Sequence, residues 1–423
     1  MDSFVKGLKC INCEEQYPIS PMFEGCPRCR SEHFSANVAV DYDYGRISVN
    51  LSRQAFAAWK GEGLWKYAPL LPVGPAAYQI SLQEGGTPLV KCGRSSEDLG
   101  LKVMVKDESR NPTWSYKDRL ACVATAKALE FGAAVTTIAS TGNHGAATAA
   151  YAAKAGLDCI VFTLPTIPLA MKGLMQGYGA KVIATTWAGR FKFITHGVHN
   201  LNWYPLGTYA TPLPTGNPYG VEGYKTIAYE LCLQLDWDVP DLILCPVANG
   251  EGFFGIWRGF KEAKLLGLID KTPRMVAVEL MGGPLSHALK ENLDYPQTVP
   301  ARDSVAFSIN GTISSYAAFK TIQDSDGMAI EVSDKDIMAA QEILGREGLY
   351  AEPASASSIA ALYKMKRLGL LTGISSAIGI VTSSGLKDPE STSQKKGDLP
   401  VVEPELKQLA KVLKEHYHFS SSI

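Results

Sequence analysis

The sequence predicts an α/β protein with twisted, mostly parallel sheets and a small separate unit at the N-terminus. A short β-branched run at residues 135–140 passes through a turn that contains glycine into an alanine-rich helix, which ends at Gly156, and a strand at 158–163 follows. The same order of strand, turn, helix and strand recurs at 242–279. Strands that alternate with helices are typical of parallel sheets, in which ligands bind beyond the carboxyl ends of the strands.

Length and composition limit the classes of protein. The chain has 423 residues, and about 150 residues per domain predicts two or three packed units. A composition with 46% hydrophobic and 20% charged residues excludes collagens, disordered chains and membrane bundles. The 41 basic and 42 acidic residues nearly cancel, so we expect a small-molecule partner and no nucleic acid.

The sequence also indicates a compartment. No run of about 18 apolar residues is present, and the first residues lack the basic-then-apolar order of a secretory signal. The nine cysteines are odd in number and, apart from two N-terminal pairs, isolated along the chain. Isolated thiols are typical of a reducing compartment. We therefore expect a cytoplasmic protein with no membrane partner.

The two N-terminal cysteine pairs have the spacing of a zinc ribbon. Cys10 and Cys13 enclose two residues, Cys26 and Cys29 enclose two more, and twelve residues separate the pairs. Four thiolates complete a tetrahedron around zinc and leave no position for water, so we expect a structural site that holds residues 1–40 together. Four free thiols on a flexible arm are the alternative.

The alternation of strands and helices continues to about residue 390. We expect a strand at 242–247, a turn at 248–252 and a helix at 253–266. Near the end of the chain, the composition predicts a loop at 391–397 and a short helix at 403–416. No internal repeat of fixed period is present in the sequence.

The segment from Lys106 to Arg119 reads Lys-Asp-Glu-Ser-Arg-Asn-Pro-Thr-Trp-Ser-Tyr-Lys-Asp-Arg. It resembles the lysine motif of threonine synthase and its fold-type II relatives (the tryptophan synthase β family) among pyridoxal-phosphate enzymes. Their pattern is Lys-Asp-Glu, a short spacer and Asn-Pro-Thr-Gly-Ser-Phe-Lys-Asp-Arg. Other family motifs resemble segments in the same order along this chain: Glu84 to Leu89, Ser140 to Gly145, Asn217 to Tyr219, Glu222 to Thr226, residues 248–252, Glu352 to Ala356 and Thr382 to Pro389.

The resemblance covers about residues 60 to 390 and implies a two-domain fold-type II enzyme that uses pyridoxal 5'-phosphate. It implies a large cofactor-binding domain formed by residues 60–120 and 215–390, and a small mobile domain formed by residues 121–214. Residues 391–423 are then a C-terminal tail. The N-terminal zinc ribbon also resembles one found in some members of the family.

Lys117 stands at the position of the lysine that carries the cofactor as a Schiff base in the family. The resemblance therefore implies that Lys117 is the catalytic residue. It lies near a predicted helix start, flanked by Trp114 and Tyr116, and these aromatic side chains are expected to desolvate its ammonium group partly. In isolation, a lysine followed by Asp118 and Arg119 would be an ordinary solvated charge.

The turn Ala248-Asn249-Gly250-Glu251-Gly252 is expected to bind the cofactor phosphate. It joins a strand to the start of a helix, where free N–H groups and the helix dipole favour an anion, and glycines allow close approach. Many relatives have a more glycine-rich loop, so Glu251 places an acidic side chain beside an anion site. We expect that side chain to point away from the phosphate. A plain strand-to-helix turn is the alternative interpretation.

Two more motifs imply contacts to the cofactor ring and the substrate. By resemblance, Asn143 donates a hydrogen bond to the phenolic oxygen of the ring, and the turn with Ser140, Thr141 and His144 binds the substrate carboxylate. His144 is also a candidate for acid–base work, while a helix cap is the alternative role of Asn143. Thr382 corresponds to the residue that bonds the pyridine nitrogen, unless it is an ordinary hydroxyl at a strand end. A hydroxyl there does not hold the ring protonated, which favours elimination or replacement over transamination.

Three segments of the chain depart from the threonine synthase pattern. Gly220 stands where an arginine clamps the phosphate of O-phosphohomoserine, Trp114 replaces a glycine, and Ser383-Ser384 replaces Gly-His. Loss of a bidentate cation is a large change at a phosphate site. Either the leaving group is not phosphate, or the charge comes from Lys225, Arg190, Lys192 or His196. An arginine introduced at position 220 is then expected to improve turnover of O-phosphohomoserine.

The leading hypothesis is a carbon–oxygen lyase that resembles threonine synthase and converts O-phosphohomoserine to threonine by γ-elimination and β-addition of water. The second is a β-elimination or β-replacement enzyme, similar to serine/threonine ammonia-lyase or cysteate synthase, which Gly220 and Ser383-Ser384 favour. A third, of another class, is a zinc-ribbon binding protein with an inactive enzyme fold, against which the intact Lys117 argues. The sequence leaves the oligomeric state open, a homodimer included.

Overall fold

A computed structural model describes residues 4–49, 51–75, 78–213, 216–396 and 398–419. The chain forms two compact units, one up to Lys387 and one from Asp388 onward. The described part of the first unit contains three β-sheets with helices between the strands. The α/β class with mostly parallel sheets is therefore confirmed.

The strands are β1 (Val5–Cys10), β2 (Gln16–Tyr17), β3 (Val38–Tyr42), β4 (Leu89–Lys91), β5 (Lys102–Asp107), β6 (Val135–Ala139), β7 (Asp158–Thr163), β8 (Lys181–Ala184), β9 (Tyr204–Pro205), β10 (Leu242–Pro246), β11 (Arg274–Leu280), β12 (Met328–Val332) and β13 (Ser376–Val381). The helices are α1 (Tyr44–Ser48), α2 (Arg53–Ala57), α3 (Gly93–Leu99), α4 (Lys117–Glu130), α5 (Asn143–Ala155), α6 (Leu169–Gly177), α7 (Trp187–Leu201), α8 (Lys225–Gln234), α9 (Glu251–Leu265), α10 (Pro284–Lys290), α11 (Tyr316–Asp324), α12 (Asp334–Arg346), α13 (Pro353–Arg367), α14 (Pro389–Lys396) and α15 (Leu406–Glu415). Short 3₁₀ turns lie at Gly63–Leu70, Glu108–Arg110, Gly220–Tyr224, Phe307–Ile309 and Gly385–Lys387.

The largest sheet has six strands in the order β12-β11-β10-β13-β5-β4. All neighbours are parallel except β4, which is antiparallel to β5. Every residue of β10 is buried, as expected of a strand covered on both faces. The carboxyl ends of β5, β10 and β13 therefore lie at one edge of the sheet, and the turns that follow them meet there.

A second sheet has four parallel strands in the order β8-β7-β6-β9. Helix α5 follows β6 and ends at Gly156, whose φ of 70° is the left-handed conformation that closes many helices. The strand expected at 158–163 is confirmed as β7. The turn between β6 and α5 thus comes from a different sheet than the turn that follows β10.

Helix α4 packs very closely on the 3₁₀ turn at Gly220–Tyr224. A Cβ built on Gly223 would lie 2.0 Å from the carbonyl oxygen of Arg119, so this approach requires glycine. The side chain of Arg119 then reaches two buried carboxylates, with Nε 2.7 Å from Glu108 Oε2 and Nη1 2.6 Å from Glu230 Oε1.

Lys106 completes this buried group of charges. Its Nζ lies 2.6 Å from Glu230 Oε2, and it donates to the Thr87 carbonyl oxygen at 2.7 Å. Burial alone would raise the pKa of Glu230, but Arg119 and Lys106 outweigh burial and hold it below its usual value. Two cations and two carboxylates balance one another, and they tie β5, α4 and α8 together beneath the loop that carries Lys117.

Two expected element boundaries are wrong. Helix α9 begins at Glu251 and not at 253, because Gly250 adopts a φ of 90° that ends the turn there. The loop expected at 391–397 is a helix from Pro389 to Lys396, while residue 397 lies outside the described residues. Asp388 accepts a hydrogen bond from the Ser391 hydroxyl at 2.6 Å and thereby stabilises the helix start. The C-terminal helix expected at 403–416 is present as the shorter α15, which begins three residues later at Leu406 and ends at Glu415.

No helix of the described residues is both long and apolar enough to cross a lipid bilayer.

Candidate active site

Lys117 is the first residue of α4 and lies at the carboxyl end of β13. The Tyr116 amide donates to the Thr382 carbonyl oxygen at 2.9 Å, and the Ser384 amide donates to the Trp114 carbonyl oxygen at 3.1 Å. These two bonds attach the loop that carries Lys117 to the end of β13. The position of the amine is therefore determined by the sheet and not by the loop alone.

The surroundings of the Lys117 amine are partly apolar. Its side chain is 17% exposed, and Nζ lies 5.3 Å from the centre of the Tyr116 ring and 5.7 Å from that of Tyr224. Trp114, the other aromatic residue expected beside Lys117, is 44% exposed. Its φ of 60° is the left-handed conformation that a glycine adopts without strain.

The turn at 248–252 follows β10 and packs against two other segments. A Cβ built on Gly250 would lie 2.3 Å from the Ala318 Cβ, and one on Gly252 would lie 2.4 Å from Tyr116 Cε2. Ala248 and Asn249 are half-buried in the same turn. The first N–H groups of α9 have no partner within the helix, so this turn can bind an anion.

The Glu251 side chain points toward Lys117. Its Oε2 is 3.0 Å from Lys117 Nζ, and the side chain is only 5% exposed. Glu251 thus contacts the very amine that the sequence singles out, a contact that the linear sequence does not reveal because 134 residues separate the two positions.

Thr382 directly follows β13 and is buried. Its hydroxyl lies 2.8 Å from the Ser355 hydroxyl at the start of α13, and Ser355 Oγ also accepts from the Ser383 amide at 2.8 Å. Ser355 can therefore orient the Thr382 hydroxyl. Sequence analysis did not single out Ser355, although it lies inside the matched motif Glu352 to Ala356.

Asn143 is the first residue of α5, and its side chain bridges two loops. Its Nδ2 donates to Glu352 at 3.1 Å, and its Oδ1 accepts from the Ser383 hydroxyl at 3.3 Å. Glu352 also accepts from the Ser308 hydroxyl at 3.4 Å. The structure thus brings Asn143 to the end of β13, and Glu352 is a second residue that sequence analysis missed.

The other residues of the β6–α5 turn have distinct surroundings. The Ser140 hydroxyl accepts from the amides of Gly142 at 3.2 Å and Gly145 at 2.9 Å, so it stabilises the helix start. Thr141 is half-buried. His144 lies against Gly207, and burial followed by the charge of Lys117 holds its pKa well below 6.5. His144 is therefore a neutral imidazole.

Gly220 has no room for a side chain. Asn217 Oδ1 accepts from the Gly220 amide at 2.9 Å, and a Cβ built on Gly220 would lie 2.9 Å from Leu120 Cγ. A side chain here would point into α4. The expectation that an arginine at position 220 improves phosphate binding is therefore wrong for this backbone.

Lys225 is not available as a replacement cation. It is fully buried, and its Nζ lies 2.5 Å from Glu222 and 2.8 Å from Glu262. The other three suggested cations all lie on α7: Arg190 is buried with its guanidinium over the Trp187 ring, whereas Lys192 and His196 are exposed.

The four N-terminal cysteines converge in a tetrathiol cluster, in which all four sulfurs lie within 4.8 Å of one another. Cys10 and Cys29 are 3.8 Å apart at Sγ, and Cys13 and Cys26 are 3.7 Å apart. Four thiolates about 2.3 Å from a tetrahedral zinc ion have sulfur–sulfur separations of about 3.8 Å. The tetrathiol cluster therefore has the size and donor set that zinc requires.

The ribbon that carries the tetrathiol cluster is bonded to the rest of the first unit. The Tyr219 hydroxyl donates to the Ser20 carbonyl oxygen at 2.6 Å, and the Ser20 amide donates back at 3.1 Å. Tyr42, at the end of β3, donates to Glu222 at 2.9 Å. Order in the ribbon is thus coupled to the turn at 217–224.

Comparison with known proteins identifies the family. Residues 80–383 match the family described as "Pyridoxal-phosphate dependent enzyme". The chain belongs to this family. "Threonine synthase" of Methanocaldococcus jannaschii is 36% identical over 414 residues, which cover 96% of this chain and 99% of the relative. "Threonine synthase" of Methanosarcina acetivorans is 37% identical over 395 residues, 91% of this chain and 93% of the relative.

The fold agrees with that assignment. This pyridoxal-phosphate enzyme superposes on the processed form of threonine deaminase isoform 2 from Solanum lycopersicum with a TM-score of 0.63, at 20% identity, over 79% of this chain and 90% of that one. Both share the fold-type II architecture.

The residues that meet at the sheet edge fit the cofactor of the family. They include an amine at Lys117, a turn at 248–252 that can bind an anion and a hydroxyl at Thr382. His144 Nε2, on the β6–α5 turn, is buried and has no hydrogen-bond partner among the described residues. Polar atoms left without partners are typical of a site that binds a polar ligand.

Proposed function

We propose that this enzyme is a threonine synthase, which releases phosphate from O-phosphohomoserine and adds water to form threonine. The observation that carries the proposal is the match to an enzyme of that name along 96% of this chain. The contacts around Lys117 support it, because they join the lysine, turn and hydroxyl motifs at a single edge of the sheet.

Bound pyridoxal phosphate would supply an electron-withdrawing ring that stabilises negative charge on the substrate carbon next to the amine. Lys117 would bind the cofactor and move protons at Nζ. The backbone N–H groups of the turn from Ala248 through Asn249, Gly250 and Glu251 to Gly252 would hold its phosphate. Thr382, oriented by Ser355, would bond the ring nitrogen.

The β6–α5 turn would bind the substrate. We propose that Asn143 orients the cofactor ring through its phenolic oxygen, and that the turn with Ser140, Thr141 and His144 holds the substrate carboxylate. Neutral His144 would bind and orient the substrate, because burial disfavours its protonated form.

A second candidate function is β-elimination or β-replacement on an amino acid without a phosphate group. Two observations favour it: Gly220 has no space for the arginine of the family pattern, and Lys225 is neutralised by Glu222 and Glu262. The leaving group would then be hydroxyl or another small substituent. A binding protein with an inactive fold remains the third hypothesis, which the intact Lys117 opposes.

We propose that Cys10, Cys13, Cys26 and Cys29 bind one structural zinc ion in the ribbon formed by residues 1–40. We further propose that residues 121–214, which include the four-stranded sheet, form the small mobile domain. Residues 60–120 and 215–390 would form the large domain, and residues 391–423 the tail. The protein would act in the cytoplasm on a small amino acid, as a monomer or a homodimer.

A substrate screen tests the proposed function. The holoenzyme is incubated separately with O-phosphohomoserine, O-phosphoserine, serine and threonine, and inorganic phosphate, threonine and 2-oxo acids are measured. Equal amounts of phosphate and threonine from O-phosphohomoserine are expected. Formation of 2-oxo acids from serine or threonine alone would support the second candidate instead, and no conversion of any amino acid would support the inactive fold.

A further inference from the structure

Lys117 and Glu251 form a largely buried ion pair at the centre of the candidate site. Lys117 Nζ and Glu251 Oε2 are 3.0 Å apart, and the two side chains are 17% and 5% exposed. This is hydrogen-bond distance for an ammonium and a carboxylate. A proton can therefore pass between the two atoms without an intervening water molecule.

Gly216 provides the space for the carboxylate. A Cβ built on Gly216 would lie 2.0 Å from Glu251 Oε1 and 3.1 Å from its carboxyl carbon. Any residue other than glycine would displace the carboxyl group from its present position. The orientation of Glu251 toward Lys117 therefore depends on a second residue, 35 positions earlier in the chain.

Among the described residues, four other titratable groups near Lys117 and Glu251 are not suited to accept a proton from Lys117 Nζ. Burial raises the pKa of Cys245 to about 12 and raises the pKa values of Tyr116 and Tyr224 well above their usual value, so all three remain protonated. Burial holds His144 neutral, with the charge of Lys117 as a further cause. Glu251 is thus the acceptor for a proton on Lys117 Nζ.

The proposed reaction needs such an acceptor. Elimination followed by addition of water removes and returns protons at more than one carbon, and a single amine that has taken one proton cannot take the next until it has given the first away. We propose that Glu251 shares protons with Lys117: Oε2 accepts a proton from Nζ, which regenerates the free amine, and later returns it. The proton moves without its electron pair, which stays on nitrogen, so ammonium plus carboxylate becomes amine plus carboxylic acid.

This inference rests on the proposed role of Lys117, and its first test needs no substrate. In cofactor-free protein, acetic anhydride at neutral pH labels free amines, and mass spectrometry compares Lys117 with exposed Lys102. The Glu251 carboxylate bonds Lys117 Nζ at 3.0 Å and so withholds the amine from the reagent. Glu251→Gln is expected to increase Lys117 labelling several-fold, because a hydrogen bond to a neutral amide is weaker than one to a carboxylate.

Two further variants sharpen the labelling experiment. Gly216→Ala keeps the carboxyl group but displaces it, and it should increase labelling as Glu251→Gln does. Glu279→Gln is the matched control: Glu279 is also buried but accepts from the amides of Leu285 and Ser286 elsewhere, so Lys117 labelling should not change. Unchanged labelling in Glu251→Gln would overturn the proposal.

The second test uses the holoenzyme, with its visible cofactor absorption as a check of loading. In D2O, exchange of the substrate α-hydrogen needs only that Lys117 take that proton, exchange it with solvent and return a deuteron, whereas product formation needs proton transfers at further carbons. Glu251→Gln should retain exchange within about threefold and lose about 100-fold in product formation, the usual contribution of a positioned acid–base group. A parallel fall in both rates, or no fall in either, would contradict proton sharing. If no amino acid is converted, the proposed function fails, and the labelling result still decides the role of Glu251.

Discussion

Gly220 packs directly against Ala124 of helix α4: a Cβ built on Gly220 would lie 2.9 Å from the Ala124 Cβ. The same built atom would lie 2.9 Å from Leu120 Cγ. Glycine at this position therefore permits close packing between α4 and the turn at 220–224. Glycine in place of the arginine of the family pattern therefore changes the packing against α4 as well as the charge at this position.

We expect Gly220→Arg to destabilise the protein and not to improve catalysis. The new side chain must displace α4 or the turn, and overpacking of this kind costs about 1–3 kcal/mol. Urea unfolding measures the change. Gly345→Arg is the control, because no described atom lies within 4 Å of a Cβ built on exposed Gly345, and its stability should stay close to that of the unmodified protein. A stable Gly220→Arg protein with faster O-phosphohomoserine turnover would show that the backbone rearranges to admit the arginine.

Replacement of Lys117 should remove the cofactor signal. Lys117→Ala is expected to lack both the visible absorption of bound cofactor and turnover, since Lys117 is the amine at the end of β13 beside the turn at 248–252. Absorption spectra and the substrate screen measure the two losses. Lys102→Ala, on the exposed start of β5, should retain both. Retention of the absorption band by Lys117→Ala would mean that another lysine binds the cofactor.

The tetrathiol cluster should hold one zinc ion per chain. Cys26→Ser is expected to lose the metal and local order in the ribbon, while the cofactor remains bound, because none of the four cysteines belongs to the candidate cofactor site. Elemental analysis of protein purified without chelator measures zinc, and the visible spectrum reports the cofactor. Cys159→Ser is the control, because Cys159 is a buried free cysteine outside the cluster. Zinc-free native protein would refute the metal site.

Lys387 should make stability depend on pH at the alkaline end. It is 3% exposed, its Nζ has no hydrogen-bond partner among the described residues, and burial lowers its pKa from 10.5 to about 8. Between those two pH values the unfolded chain binds more protons than the folded one, so the free energy of unfolding rises with pH. The effect amounts to about 3 kcal/mol over the full interval.

Lys387→Met removes this dependence. The free energy of unfolding of the variant minus that of the unmodified protein should be larger near pH 8 than near pH 10.5. The reason is that the folded unmodified protein holds a buried lysine that resists protonation, and the variant does not. Chemical unfolding at several pH values measures the difference. A constant difference across this range would mean that Lys387 titrates alike in the folded and unfolded chains.

Local patterns in the sequence were sufficient for the fold class. The strand at 158–163 was predicted to the residue, because its apolar run is bounded by Gly156 and by a segment with two prolines at 164–168. The boundary of α9 was missed by two residues, because the conformation of Gly250 depends on its close contact with Ala318 of another helix. Helix α14 was missed because its polar composition resembles that of a loop, and Asp388 supplies the cap.

The order of residues was enough to establish which motifs the chain contains: the paired cysteines, the lysine segment around Lys117 and the turn after β10. It was not enough to establish where individual side chains point. Glu251 reaches Lys117, and Lys225 is paired with Glu262, because residues 134 and 37 positions apart become neighbours when the sheet and its helices pack. Side-chain direction and charge pairing depend on these long-range contacts, which a local pattern does not contain.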